Sequence, residues 1–264
     1  DVLISGTCSE IDNIQSPNNS QVGGESFESF GYFENGFSEF AFENGIVLAS
    51  TDINSLIDIN DPVDSFNWNG DVDLEQLIQE PGNTNNATSI TFEFTPFDEE
   101  INFNYIFASY EYPNFVCEFA DTFAFILSGP GISDTNSYDH DGDPNTAPLN
   151  LDLGGLNIAL VPGTQNVPVS PVNVHDEMIC SPGQLGGYAF PQFYDDANSE
   201  VNNPGDINIT GRTTILTAEA DVIPGSTYTI KLVIADRQDT QLNSAVFLEG
   251  GSFDLGANLG ENIT

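Results

Sequence analysis

Short apolar or β-branched runs separated by Gly, Pro, Asn and Asp recur at 45–50, 89–95, 101–109, 122–128, 157–161, 213–220, 227–235 and 244–253. Runs of this length bounded by turn residues predict strands. One short helix is predicted near 73–80, where Asp73 can cap, Leu74, Leu77 and Ile78 share an apolar face, and Pro81-Gly82 stops the run. The pattern therefore predicts an all-β fold, a two-sheet antiparallel β-sandwich of jelly-roll or lectin type, with long surface loops at 132–156 and 180–206. Two copies of Phe-Glu-Asn-Gly, at 33–36 and 42–45, place Asn-Gly where hairpin turns want positive φ. Alternation stops after Phe253, so a domain over 1–254 is expected to pass into a linker at 255–264.

The strand phase carries a chemical anomaly. Side chains alternate faces with period two, so Phe103, Tyr105 and Phe107 share a face that Ser109 and Glu111 continue. Phe123, Phe125 and Leu127 share a face with Asp121, and Tyr228, Ile230, Leu232 and Ile234 share one with Asp236. If the strands at 101–109 and 122–128 are antiparallel neighbours, Glu111 and Asp121 lie at one end of a sheet, where Asp236 can join them. Converging carboxylates at a core margin need a compensating charge. Oxygen donors without His or Cys point to Ca2+, with Asn157 and Asp239 as further ligands. Hydrogen bonds from turn amides, with Asp236 paired to Arg237 or capping a turn, are the competing account. A second candidate is Asp139, Asp141, Asp143 and Asn145 in DHDGDPN. Pro144 and Asn150 stand where an EF-hand needs Gly and Glu, so the segment is a weak calcium loop or a solvated acidic turn.

Composition narrows the partners. The 264 residues are 39% apolar and include 20 Phe, enough for a real core. Against 41 Asp and Glu stand only Arg212, Lys231 and Arg237, for a formal charge of -38. Nucleic acid and anionic lipid head groups are bound chiefly by Lys and Arg, so neither is an expected partner, and a salty or calcium-containing exterior suits the chain. Membrane insertion is not expected, because no run approaches the roughly 20 apolar residues of a spanning helix. The chain opens at Asp1 with no basic-then-apolar signal segment, as a mature secreted chain or a fragment would. Three cysteines lack metal-site spacing; Cys117 with Cys180 is the favoured disulfide because both lie in loop-like sequence, and buried free thiols are the alternative.

Neither His140 nor His175 sits in a catalytic motif, and the sequence predicts a binding module rather than an enzyme. Glu111 and Asp121 as the carboxylate pair of a glycan hydrolase form the enzymatic alternative. Loop aromatics, among them Tyr112, Phe115, Tyr188 and Tyr194, are expected to stack on a glycan or partner protein, or else to cover the ends of the sandwich.

Several ordered segments together resemble the choice-of-anchor L domain. They are FGYFENGFSEFAFENGIVLAST, DVDLEQLI, FNYIFASYEYPNFVCEFADTFAFILSGPG, NIALVPGT, VIPGSTYTIKLVIADRQD and SAVFLEGGSF, spanning nearly all of 1–254. The resemblance implies a secreted surface protein of the Bacteroidetes type, whose anchoring differs between members, with links to type IX secretion, gliding motility and adhesion. It implies an extracellular binding or adhesive module, or a stalk or filament subunit meeting neighbouring subunits or domains, and names no ligand. Members commonly read Ser-Glu-Glu-Tyr-Pro where this chain has Ser109-Tyr110-Glu111-Tyr112-Pro113, so the first acid is missing here. Gly225 stands where some members carry a cysteine, which leaves the partner of Cys8 open, and 132–156 resembles an insertion.

Overall fold

The structure is a computed structural model that describes residues 2–4, 11–16, 21–22, 25–26, 28–35, 40–56, 67–140, 145–176, 189–195, 207 and 209–256. Strands β1 (Ile11–Gln15), β2 (Gln21–Val22), β3 (Glu25–Ser26), β4 (Phe30–Glu34) and β5 (Asn44–Ala49) precede the helix α1 (Val72–Leu77). Then come β6 (Thr84–Phe94), β7 (Glu100–Ser109), β8 (Thr122–Ser128), β9 (Thr135–Tyr138), β10 (Leu149–Asp152) and β11 (Leu156–Asn157). The last are β12 (Tyr194–Asp195), β13 (Gly211–Thr213), β14 (Leu216–Asp221), β15 (Tyr228–Arg237) and β16 (Ser244–Glu249). One sheet has the order β1-β6-β15-β8-β11; the other runs β12-β13-β7-β16-β5-β4, with β14 also on β7. The fold is thus the expected all-β sandwich, antiparallel in both large sheets.

The two sheets meet through aromatic rings that the period-two phase places inward. Phe103 lies 5.2 Å from Phe125, Tyr105 4.9 Å from Phe125, and Phe107 stacks on Phe123 at 4.9 Å. Ile230, Leu232 and Ile234 of β15 and Val246 and Leu248 of β16 fill the same layer. The outer faces are covered too. Leu74 and Leu77 of α1, with Tyr138 and Leu153, pack on Ala124, Ile126, Val233 and Ala235. Phe40, Phe42 and Leu56 pack on Val47, Ala49, Ile106, Ala108, Ala245 and Phe247. Burial on both faces explains why runs such as FAFIL and AVFLE read as continuous apolar stretches rather than alternating ones.

Several boundaries differ from the sequence pattern for local reasons. The cap of α1 is Asp71, whose Oδ1 accepts from the N–H groups of Asp73 (3.0 Å) and Leu74 (3.3 Å), so the helix begins earlier than expected. Asp73 instead joins Asp71 in holding Lys231 Nζ, each at 2.6 Å, which pins α1 to β15. The segment 132–156 contains the β9–β10 hairpin in place of a bare loop, because Tyr138 is buried and its hydroxyl accepts from Asn157 N–H at 2.8 Å. Of 180–206, only 189–195 is described. The second Asn-Gly forms no turn: both residues lie in β5, and a Cβ on Gly45 would sit 1.9 Å from the Leu248 carbonyl oxygen, so the strands approach there as only glycine permits. Leu255 is in the core and its carbonyl accepts from Phe97 N–H at 2.6 Å, so packing runs past Phe253; 257–264 lie outside the described residues.

Because Phe125 is pinned between Phe103, Tyr105 and Phe123, Phe125→Ala should cost about 3–5 kcal/mol of stability. Urea denaturation should show this as a lower midpoint with little change of slope, while Ile215→Ala, at an exposed position, should stay within about 0.5 kcal/mol of the parent.

Candidate functional site

Glu111, Asp121 and Asp236 come together at one end of the interior, by a different route from the one their phase suggested. Strand β7 does not neighbour β8: it pairs with β13, β14 and β16 in one sheet, whereas β8 pairs with β11 and β15 in the other. Asp121 and Asp236 therefore sit side by side at the end of one sheet, and Glu111 arrives from the other. Ala235 and Thr122 form the last rung between β15 and β8, and Asp236 and Asp121 lie one step beyond it. Segment 110–120 crosses from the end of β7 to the start of β8 and carries Glu111 over that rung. Its first turn is fixed by Glu111 N–H on Ser109 Oγ (3.0 Å) and Phe115 N–H on the Glu111 carbonyl (2.8 Å).

All three side chains are fully buried: Glu111 0%, Asp121 1% and Asp236 0% exposed. Asp121 is well supplied, since Oδ2 accepts from Ser244 Oγ at 2.6 Å and Oδ1 from Arg237 N–H at 3.1 Å. Asp236 accepts from Asn86 Nδ2 at 2.7 Å on Oδ2 and from the Ser50 hydroxyl. Ser50 and Ser244 belong to the opposite sheet and bond each other, so both aspartates tie the two sheets together. Glu111 has no such support: neither Oε1 nor Oε2 has a hydrogen-bond partner, and Asp236 Oδ1 and Asn243 Oδ1 are likewise unpartnered. Burial, then the charges of Asp121, Asp239 and Asp236, push the Glu111 carboxyl up to about 11. Burial also raises Asp121 and Asp236 well above the ordinary aspartate range.

The backbone around these groups is strained. Asn86, Gln238 and Leu242 adopt positive φ (53°, 72° and 63°), a conformation that Asn tolerates and that is costly for Gln and Leu. Gln238 N–H donates to the Asn83 carbonyl and its side-chain amide to the Glu118 carbonyl, which knits loop 238–243 to its neighbours. Arg237 closes this end from the helix side, with both Nε (3.2 Å) and Nη2 on the Glu80 carboxylate. That partner holds the Glu80 carboxyl below its ordinary value.

The other expected site residues divide clearly. Asp239 is close enough to act on all three buried acids and is partly exposed, at the outer side of the group. Asn157 lies apart from the acids: its Oδ1 accepts from Phe125 N–H (3.0 Å) and Ala159 N–H (3.1 Å), and it pairs with Ile126, roughly 16 Å along β8 from Asp121. Asp139 binds Asn166 through its backbone and Asn145 is exposed, while Asp141 and Asp143 lie outside the described residues. Among the described residues, no three His, Cys, Asp or Glu side chains are gathered as a ready metal cage. Electrostatic coupling among the four acids is therefore a separate fact from close ligation, and a cation here would need amide, carbonyl or water oxygens.

Tyr112 is a core residue and presents no ligand-binding face, being buried with its hydroxyl on the Val174 carbonyl at 2.6 Å and its ring 5.0 Å from Tyr194. Phe115 is 39% exposed on the crossing segment, and Tyr188 lies outside the described residues. Cys117 is disulfide-bonded, and both Cys8 and Cys180 lie outside the described residues. Full burial of Glu111 and Asp121 leaves a sugar no approach to them, which argues against their use as a glycosidase pair. Sequence reading missed Ser50, Asn86, Asn243 and Ser244. The available signal was that GIVLAS ends and SAVFLE begins with serine at the same sandwich end as the acids.

The family model for the choice-of-anchor L domain matches residues 1–254, nearly the whole chain. The chain belongs to the choice-of-anchor L family. No curated protein and no solved structure matches it. Choice-of-anchor L domains are cell-surface modules of surface-anchored or secreted proteins, and the acidic cluster described above lies within the matched span. No helix among the described residues is long and apolar enough to cross a membrane.

The Arg237–Glu80 pair has a definite pH signature. Because the folded-state value of Glu80 is depressed, its stabilisation is present above its ordinary value of 4.5 and is lost as pH falls through the folded value. Glu80→Gln should lower the melting temperature at neutral pH, and its difference from the parent should shrink as pH drops below about 4.5. Parallel melts of both proteins across pH 3–7 (about that range) check this.

Proposed function

We propose that this choice-of-anchor L domain is an extracellular binding and adhesion module that contacts a glycan or a surface protein through the loops at the carboxylate end of the sandwich. The observation that carries the reading is the construction of that end. Segment 110–120, loop 238–243 and the β12–β13 region are held in one frame by Gln238 on Glu118, Tyr112 on Tyr194 and Arg212 on Asp195. Within that frame Phe115 is left 39% exposed, next to the disulfide-bonded Cys117. A rigid loop platform with an exposed ring can stack on a sugar face or fill a partner's apolar pocket at low entropic cost.

The anionic exterior fits the same reading. Arg212, Lys231 and Arg237 are all committed to internal ion pairs, so partners are met by acids, amides and rings rather than by fixed positive charge. Binding to a glycan array and to intact cells tests the proposal. Phe115→Ala should reduce capture at least about tenfold, the value of one well-buried aromatic contact, with only a small drop in melting temperature from the lost edge contact with Phe119. Absence of binding to any surface would instead assign the module to a stalk or filament, and release of reducing sugar would assign it to hydrolysis.

A further inference from the structure

The carboxylate end holds more unused oxygen than a folded interior tolerates. Glu111 contributes two buried oxygens without partners, and Asp236 and Asn243 one each. Asn243 sits beside the others: its carbonyl accepts from Tyr110 N–H, one residue before Glu111, and the next residue, Ser244, bonds Asp121. A buried carboxylate that lacks both a hydrogen bond and a counter-charge is among the costliest groups a fold can contain. The protein's own cations are committed elsewhere: Lys231 to Asp71 and Asp73, Arg212 to Asp195, and the Arg237 guanidinium to Glu80.

We propose that this end of the sandwich is a calcium site, in which Glu111 through both oxygens and Asp236 through Oδ1 hold the ion. Asn243 Oδ1 adds a donor, while Asp239 at the outer side and Asp121, whose oxygens are already engaged by Ser244 and Arg237, contribute charge without ligating. The donors are all oxygen, which selects a hard cation. They come from two chain segments, 110–120 and 236–243, and are few, so water would have to complete the irregular six- to eight-oxygen shell of Ca2+. Mg2+ demands a tight octahedron and dehydrates reluctantly, so it fits this open set poorly. The ion would lie where segment 110–120 leaves one sheet and β8 and β15 end in the other, and would clamp the frame that presents Phe115. This inference rests on the extracellular reading, because calcium is abundant outside cells.

The test is stability and calorimetry on the chelator-treated chain, with Ca2+, Mg2+ or Na+ added at equal ionic strength. Calcium at a hundredfold above its dissociation constant should raise the melting temperature by about 5 °C or more, and Mg2+ should give only the general salt effect. Glu111→Gln is the diagnostic variant: it should fold without calcium and abolish the calcium-specific shift, because the bidentate carboxylate is gone. Glu219→Gln, which removes one charge from the exposed face of β14, should keep that shift. If Glu111→Gln does not fold, calorimetry of the parent decides between one saturable ion per chain at physiological salt and graded uptake by the acidic surface. Graded uptake, equality of calcium with magnesium, or a Glu111→Gln variant that keeps the whole shift would each overturn the proposal. The readout is stability, so its failure is distinguishable from failure to capture a glycan or protein.

Discussion

Three carboxyl groups enclosed between two sheets are the constraint around which the rest of this domain is arranged. The aromatic layer of Phe103, Tyr105, Phe107, Phe123 and Phe125 brings the sheets together; the same side-chain phase carries Asp121 and Asp236 to the end of that layer, and the turn after β7 carries Glu111 there. A short polar tier of Ser50, Asn86, Asn243 and Ser244 surrounds them. Asp121 and Asp236 use that tier to bond across the gap between sheets, so two of the acids act as struts as well as charges.

The cost of such an end is visible in the backbone. Leu242 and Gln238 hold positive φ in the loop that follows Arg237, and Asn86 does so beneath Asp236. Strain of this kind persists only where surrounding contacts over-determine the conformation. Here those contacts are Trp68 N–H on Asn86 Oδ1, Gln238 on Asn83 and Glu118, and the Arg237–Glu80 pair, all gathered around the acids.

The sandwich was legible because strand runs and turn residues alternate so regularly, and 122–128 was delimited to the residue. Side-chain phase also identified Asp121 and Asp236, since period-two alternation holds whichever strands become neighbours, whereas Glu111 is turned inward by the bend that follows β7. Pairing was not legible. Consecutive strands β7 and β8 look like a hairpin in sequence, yet segment 110–120 is long enough to cross between sheets, and nothing local distinguishes the two outcomes. The same limit misplaced Asn157, whose amide stabilises the β8 edge at Phe125 rather than its end. Tyr112 looked like a loop aromatic because its burial comes from Val174 and Tyr194, far along the chain. The cap of α1 was missed by two residues because Asp71 and Asp73 are equally good candidates until Lys231 is placed between them.

The scarcity of basic residues reaches beyond electrostatics. Endoproteases of trypsin-like specificity cut after lysine or arginine and require an extended, unpaired stretch of backbone there. Arg212 lies in β13, bonded to strands on both sides, and Lys231 and Arg237 lie in β15, laddered to β6. While folded, a domain with only these three basic residues offers that whole class of enzyme no accessible bond. On an exterior exposed to secreted hydrolases, resistance to digestion then follows from the same ion pairs that fasten α1, the Glu80 turn and β12 to the sandwich.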